Sequence, residues 1–249
     1  MNQAAAAGAG VILVAAAVGK SFGSFVALDG VDFHLGRDEA VGIVGPNGAG
    51  KTTLLNVLAG TYPPSTGSVW VDGADVSRLD AASRCRLGIA RSHQVPRPFS
   101  DMTVFENVLV AASAGGGQAR AAAYDTSIES LRLCGMLAIA NRKAETLGLL
   151  DRKRLELARA LGTNPKVLLL DEIGAGLTDS EASELVAIIR ALRTRGIAIV
   201  WIEHILRVLL QVVERLVCMD AGSVIAQGAP EVALAHPAVI EAYLGSGVA

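Results

Sequence analysis

The sequence predicts an α/β fold in which helices cover both faces of a mostly parallel β-sheet. Continuous apolar runs of strand length at residues 41–44, 167–170 and 197–202 are typical of central strands that are buried on both faces. Longer segments with helical character separate these runs, and a parallel sheet requires such an alternation. The fold class therefore follows from the order of apolar and helical segments along the chain.

The first strand is predicted over about residues 11–18, after an alanine-rich leader. Residues 1–19 carry no charged side chain, but their apolar part is shorter and weaker than the ~20 strongly apolar residues that cross a bilayer. A signal peptide is the alternative, although no Lys or Arg precedes the apolar run. We therefore expect a frayed leader that leads into a strand.

The other elements are predicted from periodicity and turn residues. Alternating apolar residues at 31–35 indicate a half-exposed strand, antiparallel and near a sheet edge. Between about residues 95 and 164 strand signals disappear, which indicates a helical insertion that divides the core into two halves. The remaining predicted elements are helices at 53–58, 103–112, 120–137, 152–161 and 237–244, and a strand at 223–227.

The composition excludes two classes of protein. The chain has 249 residues, with 22 Lys and Arg against 24 Asp and Glu for a net charge of −2. Because no overall positive field exists, no nucleic-acid partner is expected. Three cysteines without CxxC spacing predict reduced thiols and not a disulfide framework.

The strongest motif is a glycine-rich stretch that matches the GxxxxGK[ST] pattern of phosphate-binding loops. It follows the strand at 41–44 and opens a helix, which is the context that the pattern requires. Glycines let backbone N–H groups converge on phosphate oxygens, and the helix N-terminus adds positive potential. Lys51 would neutralise the outer phosphates, and the Thr52 hydroxyl would bind Mg²⁺. The candidate nucleotide-binding residues are Gly45, Pro46, Asn47, Gly48, Ala49, Gly50, Lys51, Thr52 and Thr53.

Two adjacent carboxylates, Asp171 and Glu172, follow the apolar run at 167–170. Ligands of parallel sheets bind at the carboxyl ends of the strands, where the phosphate-binding loop also lies. We predict that Asp171 holds Mg²⁺ through water and that Glu172 polarises the water that attacks the γ-phosphate. An apolar run that ends in acids can also be a simple strand end. Together with the loop it predicts nucleotide hydrolysis.

On these motifs the chain resembles the ATP-binding subunits of ABC transporters over nearly its whole length. The resemblance implies a P-loop NTPase (ABC ATPase) core sheet with an edge antiparallel β region and an inserted helical subdomain, and it implies ATP and Mg²⁺ as cofactors. Phe22 resembles the aromatic residue that stacks on adenine. Gln94 resembles the glutamine that touches Mg²⁺ and couples the helical subdomain to membrane subunits. His204 resembles the switch histidine that contacts the γ-phosphate.

The resemblance also implies how the chain is divided. We expect one ATP-binding domain over residues 1–249, in which 1–94 and 164–230 form a RecA-like core. Residues 95–163 would form the helical subdomain, and 231–249 a C-terminal tail helix.

Four further segments resemble the branched-chain amino acid importer group, namely 102–107, 154–161, 174–177 and 241–245. This group implies a second, non-identical ATPase subunit, with a homodimer as the alternative. It also implies two transmembrane permease subunits and, indirectly, a periplasmic solute-binding protein. The chain would lie peripherally on the cytoplasmic face of the inner membrane. Related systems carry urea, amides or aromatic acids, so the solute stays open.

The signature segment departs from the family, whose members read LSGGQ where residues 147–151 read LGLLD. Gly148 lacks the usual serine hydroxyl, and Leu150 adds bulk. Asp151 is predicted to be the N-cap of the helix at 152–161, which would place a negative charge near the opposing phosphate. Either this substitution weakens one of two ATP sites in a dimer, or the signature works through other backbone donors.

The sequence therefore predicts the ATP-hydrolysing subunit of an importer for branched-chain amino acids or related amino acids and amides. Two alternatives stay open. One is a regulatory nucleotide-binding subunit with negligible hydrolysis, which the degenerate signature favours. The other is a soluble ABC-type ATPase that acts on nucleic acid, although such proteins usually carry two cassettes or a long coiled coil.

Overall fold

Two β-sheets and a helical insertion make up the described part of the chain. The computed structural model describes residues 10–245, and the side chains of residues 10–243. The predicted leader before residue 10 lies outside this range. Within it the strands are β1 (Val11–Phe22), β2 (Phe25–Gly36), β3 (Ala40–Val44), β4 (Thr66–Val71), β5 (Ala74–Asp75), β6 (Ile89–Arg91), β7 (Val167–Asp171), β8 (Ala198–Ile202), β9 (Arg215–Asp220) and β10 (Ser223–Gly228). The α-helices are α1 (Lys51–Ala59), α2 (Ala81–Arg86), α3 (Val104–Val110), α4 (Arg120–Leu133), α5 (Leu149–Gly162), α6 (Asp179–Arg193), α7 (Leu206–Leu209), α8 (Pro230–Leu234) and α9 (Pro237–Gly245).

The central sheet has six strands in the order β10-β9-β3-β8-β7-β6. Every residue of β3, β7 and β8 is buried, as the continuous apolar runs predict for strands that are covered on both faces. These strands are parallel to their neighbours, with Val41 opposite Val200 and Leu168 opposite Ile199. Only the β9–β10 hairpin at one edge is antiparallel. The predicted α/β class and its three central strands are confirmed.

The second sheet is antiparallel and has the order β2-β1-β4-β5. Its β2 lies at the edge, as the alternation at residues 31–35 predicts, and β1 continues to Phe22, four residues beyond the predicted end. Strands β4, β5, β6 and β9 were not predicted, although β9 contains a continuous apolar run at residues 216–219. Strand β6 has three residues and β5 two, so they are too short for a period to be recognised. Their pairing with longer strands defines them.

Between β6 and β7 the described residues form helices α3, α4 and α5 with short connecting turns. Thr103 and Glu106 form a reciprocal capping box that starts α3. Helix α4 ends at Leu133, earlier than the predicted residue 137, because Gly135 adopts a left-handed φ of 69°. No helix within residues 10–245 is long and apolar enough to cross a bilayer.

Helix α5 begins three residues earlier than predicted, at Leu149, and its N-cap is Gly148. The assignment of Asp151 as N-cap was therefore wrong. Gly148 has extended φ and ψ angles of −69° and 175°, so the backbone turns into the helix before the carboxylate is reached. Asp151 instead lies in the first turn, where its charge still interacts favourably with the helix dipole. Its Oδ1 lies 3.4 Å from Nη1 of Arg154.

A buried arginine holds the C-terminal end of α1. The Arg84 side chain is fully buried, and its Nη1 donates to the carbonyl oxygens of Val57 and Leu58 at 2.6 and 3.0 Å. Its other nitrogens donate to the carbonyls of Leu79 and Ser77. Burial lowers the pKa of this guanidinium to about 10, so it stays charged at neutral pH. One side chain therefore ties α1 to the segment that precedes α2.

We predict that Arg84→Met lowers the free energy of unfolding by about 3 kcal/mol, because several carbonyl groups lose a charged donor in a buried place. Denaturant unfolding followed by circular dichroism measures the change. The matched control is Arg86→Met on the exposed part of the same helix, which should change stability by no more than about 0.5 kcal/mol. Equal losses from both variants would contradict this role for Arg84.

Candidate nucleotide-binding site

The loop between β3 and α1 has the backbone shape of an anion-binding turn. Gly45, Gly48 and Gly50 have φ angles of 150°, 83° and 96°, which L-residues with side chains rarely adopt. A Cβ on Gly45 would lie 2.1 Å from the carbonyl oxygen of Met219, so only glycine fits there. Gly50 is the N-cap of α1, whose first N–H groups therefore face the loop. Backbone donors and the helix dipole together favour a bound anion.

Lys51 is the cation of this loop. Its side chain is almost fully buried, and its Nζ donates to the carbonyl oxygens of Gly45 and Pro46 at 2.7 and 2.9 Å. Burial lowers the pKa of the ammonium group, and the negative charges of Glu172 and Asp171 partly oppose that shift. The ammonium group therefore lies inside the loop and is linked electrostatically to both candidate carboxylates.

A cavity of about 230 Å³ opens at the loop. Residues 47–53 line it together with Glu172, Ala27 and Phe25. Phe22, predicted to stack on adenine, is not among its lining residues. It lies at the end of β1, where its ring is 5.3 Å from that of Tyr62 in an edge-to-face arrangement. Phe25 was missed, although a second phenylalanine three residues after Phe22 was visible in the sequence.

Asp171 ends β7 and is 3% exposed. Its Oδ2 accepts a hydrogen bond from Nη2 of Arg91 at 2.8 Å. Its Oδ1 is buried and has no hydrogen-bond partner within the described residues. Arg91 was missed in the sequence analysis because 80 residues separate it from Asp171. One carboxylate oxygen is thus held by a cation, and the other has no hydrogen-bond partner among the described residues.

Glu172, the next residue, joins two of the predicted site residues. Its Oε1 lies 2.8 Å from Nε2 of His204, and its Oε2 accepts a hydrogen bond from Nε2 of Gln94. Since the carboxylate accepts, the imidazole carries a proton on Nε2 in this arrangement. Glu172 has a φ of 48°, a strained value for a residue with a side chain, and such strain is concentrated at functional sites. The structure therefore brings Gln94, Glu172 and His204 together.

A further buried acid orders the segment that follows the two carboxylates. Glu203 is 2% exposed and accepts hydrogen bonds from the backbone N–H groups of Gly174 and His204, both at 3.0 Å. A Cβ on Gly174 would lie 2.8 Å from Oε2 of Glu203. A side chain at Gly174 would push this carboxylate aside, and with glycine the carboxylate holds the turn after Glu172 next to His204.

The donor atoms at this site fit a magnesium ion. Asp171 offers a buried carboxylate oxygen that lacks a partner in the described chain, and Thr52 offers a hydroxyl at the start of α1. Magnesium prefers such oxygen ligands and usually completes its coordination with water and substrate phosphates. No group of three or more His, Cys, Asp or Glu side chains within the described residues could hold a metal alone.

Comparison with known proteins supports the family that the sequence motifs indicate. Residues 28–175 match the family model of ABC transporters, and residues 223–249 match that of branched-chain amino acid ATP-binding cassette transporters. The chain is 36% identical over 239 residues to the high-affinity branched-chain amino acid transport ATP-binding protein LivG of Escherichia coli (strain K12), which covers 90% of this chain and 94% of LivG. It is 33% identical over 249 residues to BraF of Pseudomonas aeruginosa, the protein of the same description, with coverages of 94% and 98%.

Solved structures lead to the same family. A nucleotide-free ATP-binding cassette from an ABC transporter superposes with a TM-score of 0.85 at 30% identity, covering 94% of this chain and 98% of the other. The ADP conformation of an ATP-binding cassette of an ABC transporter superposes with a TM-score of 0.85 at 32% identity, with coverages of 94% and 99%. These relatives favour neither of the two alternative functions. The chain belongs to the ABC transporter family, in its branched-chain amino acid group of ATP-binding cassettes, and is an ATPase.

Proposed function

We propose that this ATPase drives an importer for branched-chain amino acids or related amino acids and amides. The observation that carries the proposal is the contact of Glu172 with both Gln94 and His204 beside the phosphate-binding loop. This contact brings an acid, a histidine and a glutamine together, and Glu172 is the one of the three that lines the cavity. The relatives named above are themselves described as branched-chain amino acid transport proteins, which supports the class of solute.

The candidate site residues have distinct proposed roles. The loop from Gly45 to Thr53 binds the phosphates through its backbone donors, and Lys51 neutralises their outer charge. Phe22 packs against the adenine ring, with Phe25 closer to the loop. Magnesium, bound by Thr52, Asp171 and Gln94, would neutralise phosphate charge.

Hydrolysis itself requires a water molecule that is oriented and made more nucleophilic. Glu172 is the residue placed to accept a proton from this water, because its carboxylate lines the cavity at the loop. His204 donates from Nε2 to Glu172 in the present arrangement and would contact the γ-phosphate once nucleotide is bound. The helical subdomain, residues 95–163, begins immediately after Gln94. A shift of Gln94 when nucleotide binds or is hydrolysed would therefore move this subdomain.

The assembly we propose is a dimer of this chain with a second, non-identical ATPase subunit, or else with a second copy. It acts with two transmembrane permease subunits and, indirectly, a periplasmic solute-binding protein, on the cytoplasmic face of the inner membrane. The helical subdomain and the Gln94 segment would transmit closure of the ATPase dimer to the permeases. No role in this assembly requires nucleic acid.

The two ATP sites of this dimer are proposed to be unequal. Gly148, Leu149 and Leu150 offer no hydroxyl at the start of α5, and the Leu149 side chain is 46% exposed there. Asp151 adds negative charge, although its ion pair with Arg154 neutralises part of it. The catalytic residues of this chain are complete, so a better signature on the partner would complete the stronger site.

We predict that Lys51→Ala abolishes ATP binding, because the phosphates lose the cation inside the loop. Glu172→Gln should bind ATP but hydrolyse it about a hundredfold or more slowly, because an amide cannot accept the proton. Binding of a fluorescent ATP analogue and phosphate release by the purified assembly measure both effects. The control is Glu231→Gln, an exposed acid on α8, which should leave both unchanged. Normal phosphate release by Glu172→Gln would favour a purely regulatory subunit.

The proposed difference in hydrolysis between the two ATP sites can be tested separately. In the purified assembly with a non-identical partner, we expect Glu172→Gln in this chain to abolish most turnover, whereas replacement of the matching acid in the partner should cost less. The physical reason is that the partner's acid acts on the nucleotide that faces the degenerate segment 147–151. The measurement is the steady-state ATP turnover of the assembly with each of the two replacements. Equal losses would show that both sites hydrolyse ATP alike.

A further inference from the structure

A chain of hydrogen bonds joins two of the three residues proposed to bind magnesium, Thr52 and Asp171. Thr52 lies on α1 and Asp171 at the end of β7, so no local structure relates them. Asn56 Nδ2 donates to the carbonyl oxygen of Thr52 at 2.8 Å, and Arg91 Nη1 donates to Oδ1 of Asn56 at 2.5 Å. The second arm of the same guanidinium, Nη2, donates to Oδ2 of Asp171 at 2.8 Å. Asn56 and Arg91 thus link both residues.

The backbone of Arg91 is fixed beside β7, so its side chain can set the distance between Asn56 and Asp171. It is the last residue of β6, which pairs in parallel with β7, and the N–H of the following Ser92 donates to the carbonyl of Leu169 at 2.9 Å. The side chains of Arg91 and Asp171 are only 13% and 5% exposed. A planar guanidinium can reach two separate acceptors at once, which the single ammonium group of lysine does not match in geometry.

The pairing also determines which oxygen of Asp171 is used. Oδ2 is engaged by Arg91, whereas Oδ1 is buried and has no hydrogen-bond partner in the described part of the chain. A buried carboxylate oxygen that lacks a partner is unfavourable, and a bound cation or its water relieves that cost. The carboxylate therefore has one oxygen held by Arg91 and one that a metal or its water could satisfy.

We propose that Arg91 and Asn56 are positioning residues that fix Thr52 relative to Asp171 and so set the affinity of the nucleotide site for magnesium. This inference rests on the proposed function, because that function supplies the nucleotide and the ion. Neither residue needs to touch the nucleotide. Partners that orient metal ligands in this way typically change metal affinity by roughly ten- to hundredfold when they are removed.

Three variants of the full chain test the proposal. Asn56→Leu removes the link without changing charge, Arg91→Lys keeps the charge but loses the two-armed contact, and Arg91→Met removes both. Binding of a fluorescent, non-hydrolysable ATP analogue is measured without magnesium and during titration with magnesium. We expect the magnesium concentration for half-saturation to rise roughly tenfold or more in each variant, with magnesium-free binding within about twofold of wild type.

The matched control is Arg86→Met, an exposed arginine on α2, which should not shift the magnesium dependence. A double variant of Asn56 and Arg91 should be no worse than Arg91→Met alone, since both act through one chain of contacts. If Arg91→Met does not fold, Asn56→Leu and Arg91→Lys still decide the question.

Three results would overturn the positioning role. One is an unchanged magnesium dependence in Asn56→Leu, and another is an equal loss of analogue binding with and without magnesium. The third is tighter magnesium binding in Arg91→Met, which would mean that the guanidinium acts only as a competing charge. Failure of the wild-type chain to bind the analogue would instead contradict the proposed function.

Discussion

The whole site depends on the alignment of parallel strands at one edge of the central sheet. Because β3 and β7 run in the same direction beside β8, the phosphate-binding loop and the two carboxylates emerge at the same edge. Burial of all residues in these three strands makes that alignment rigid. The candidate residues Lys51 and Glu172, from distant parts of the chain, thereby line a single cavity.

The polar groups around this edge form connected pairs and not isolated charges. Lys51 donates to loop carbonyls, Asp171 accepts from Arg91, and Glu172 contacts the exposed His204. Charged groups that are partly or fully buried are tolerated when each has an oriented partner. A ligand that changes these partners can shift the site between conformations. Glu203 extends the connection by ordering the turn that follows the carboxylates. Hydrogen bonds of Glu172 and Glu203 thus connect the cavity to Gln94, His204 and Gly174.

The signature segment, residues 147–151, differs in this respect from the site around Glu172. The structure brings Gln94 and His204 to Glu172, whereas residues 147–151 keep the helix start but read LGLLD and contain no serine. Helix α5 begins normally at Gly148, so the departure changes the chemistry of that surface and leaves the fold intact.

Local sequence determined the central strands, the loop at 45–52 and the two carboxylates, because buried strands and glycine-rich turns leave short, recognisable patterns. Family resemblance added Gln94 and His204, which the tertiary structure then brings to Glu172. Arg91 could not be inferred, since its partner Asp171 is distant in sequence and only the register of β6 beside β7 makes them neighbours. The start of α5 was likewise decided by backbone angles at Gly148, which side-chain capping rules do not capture.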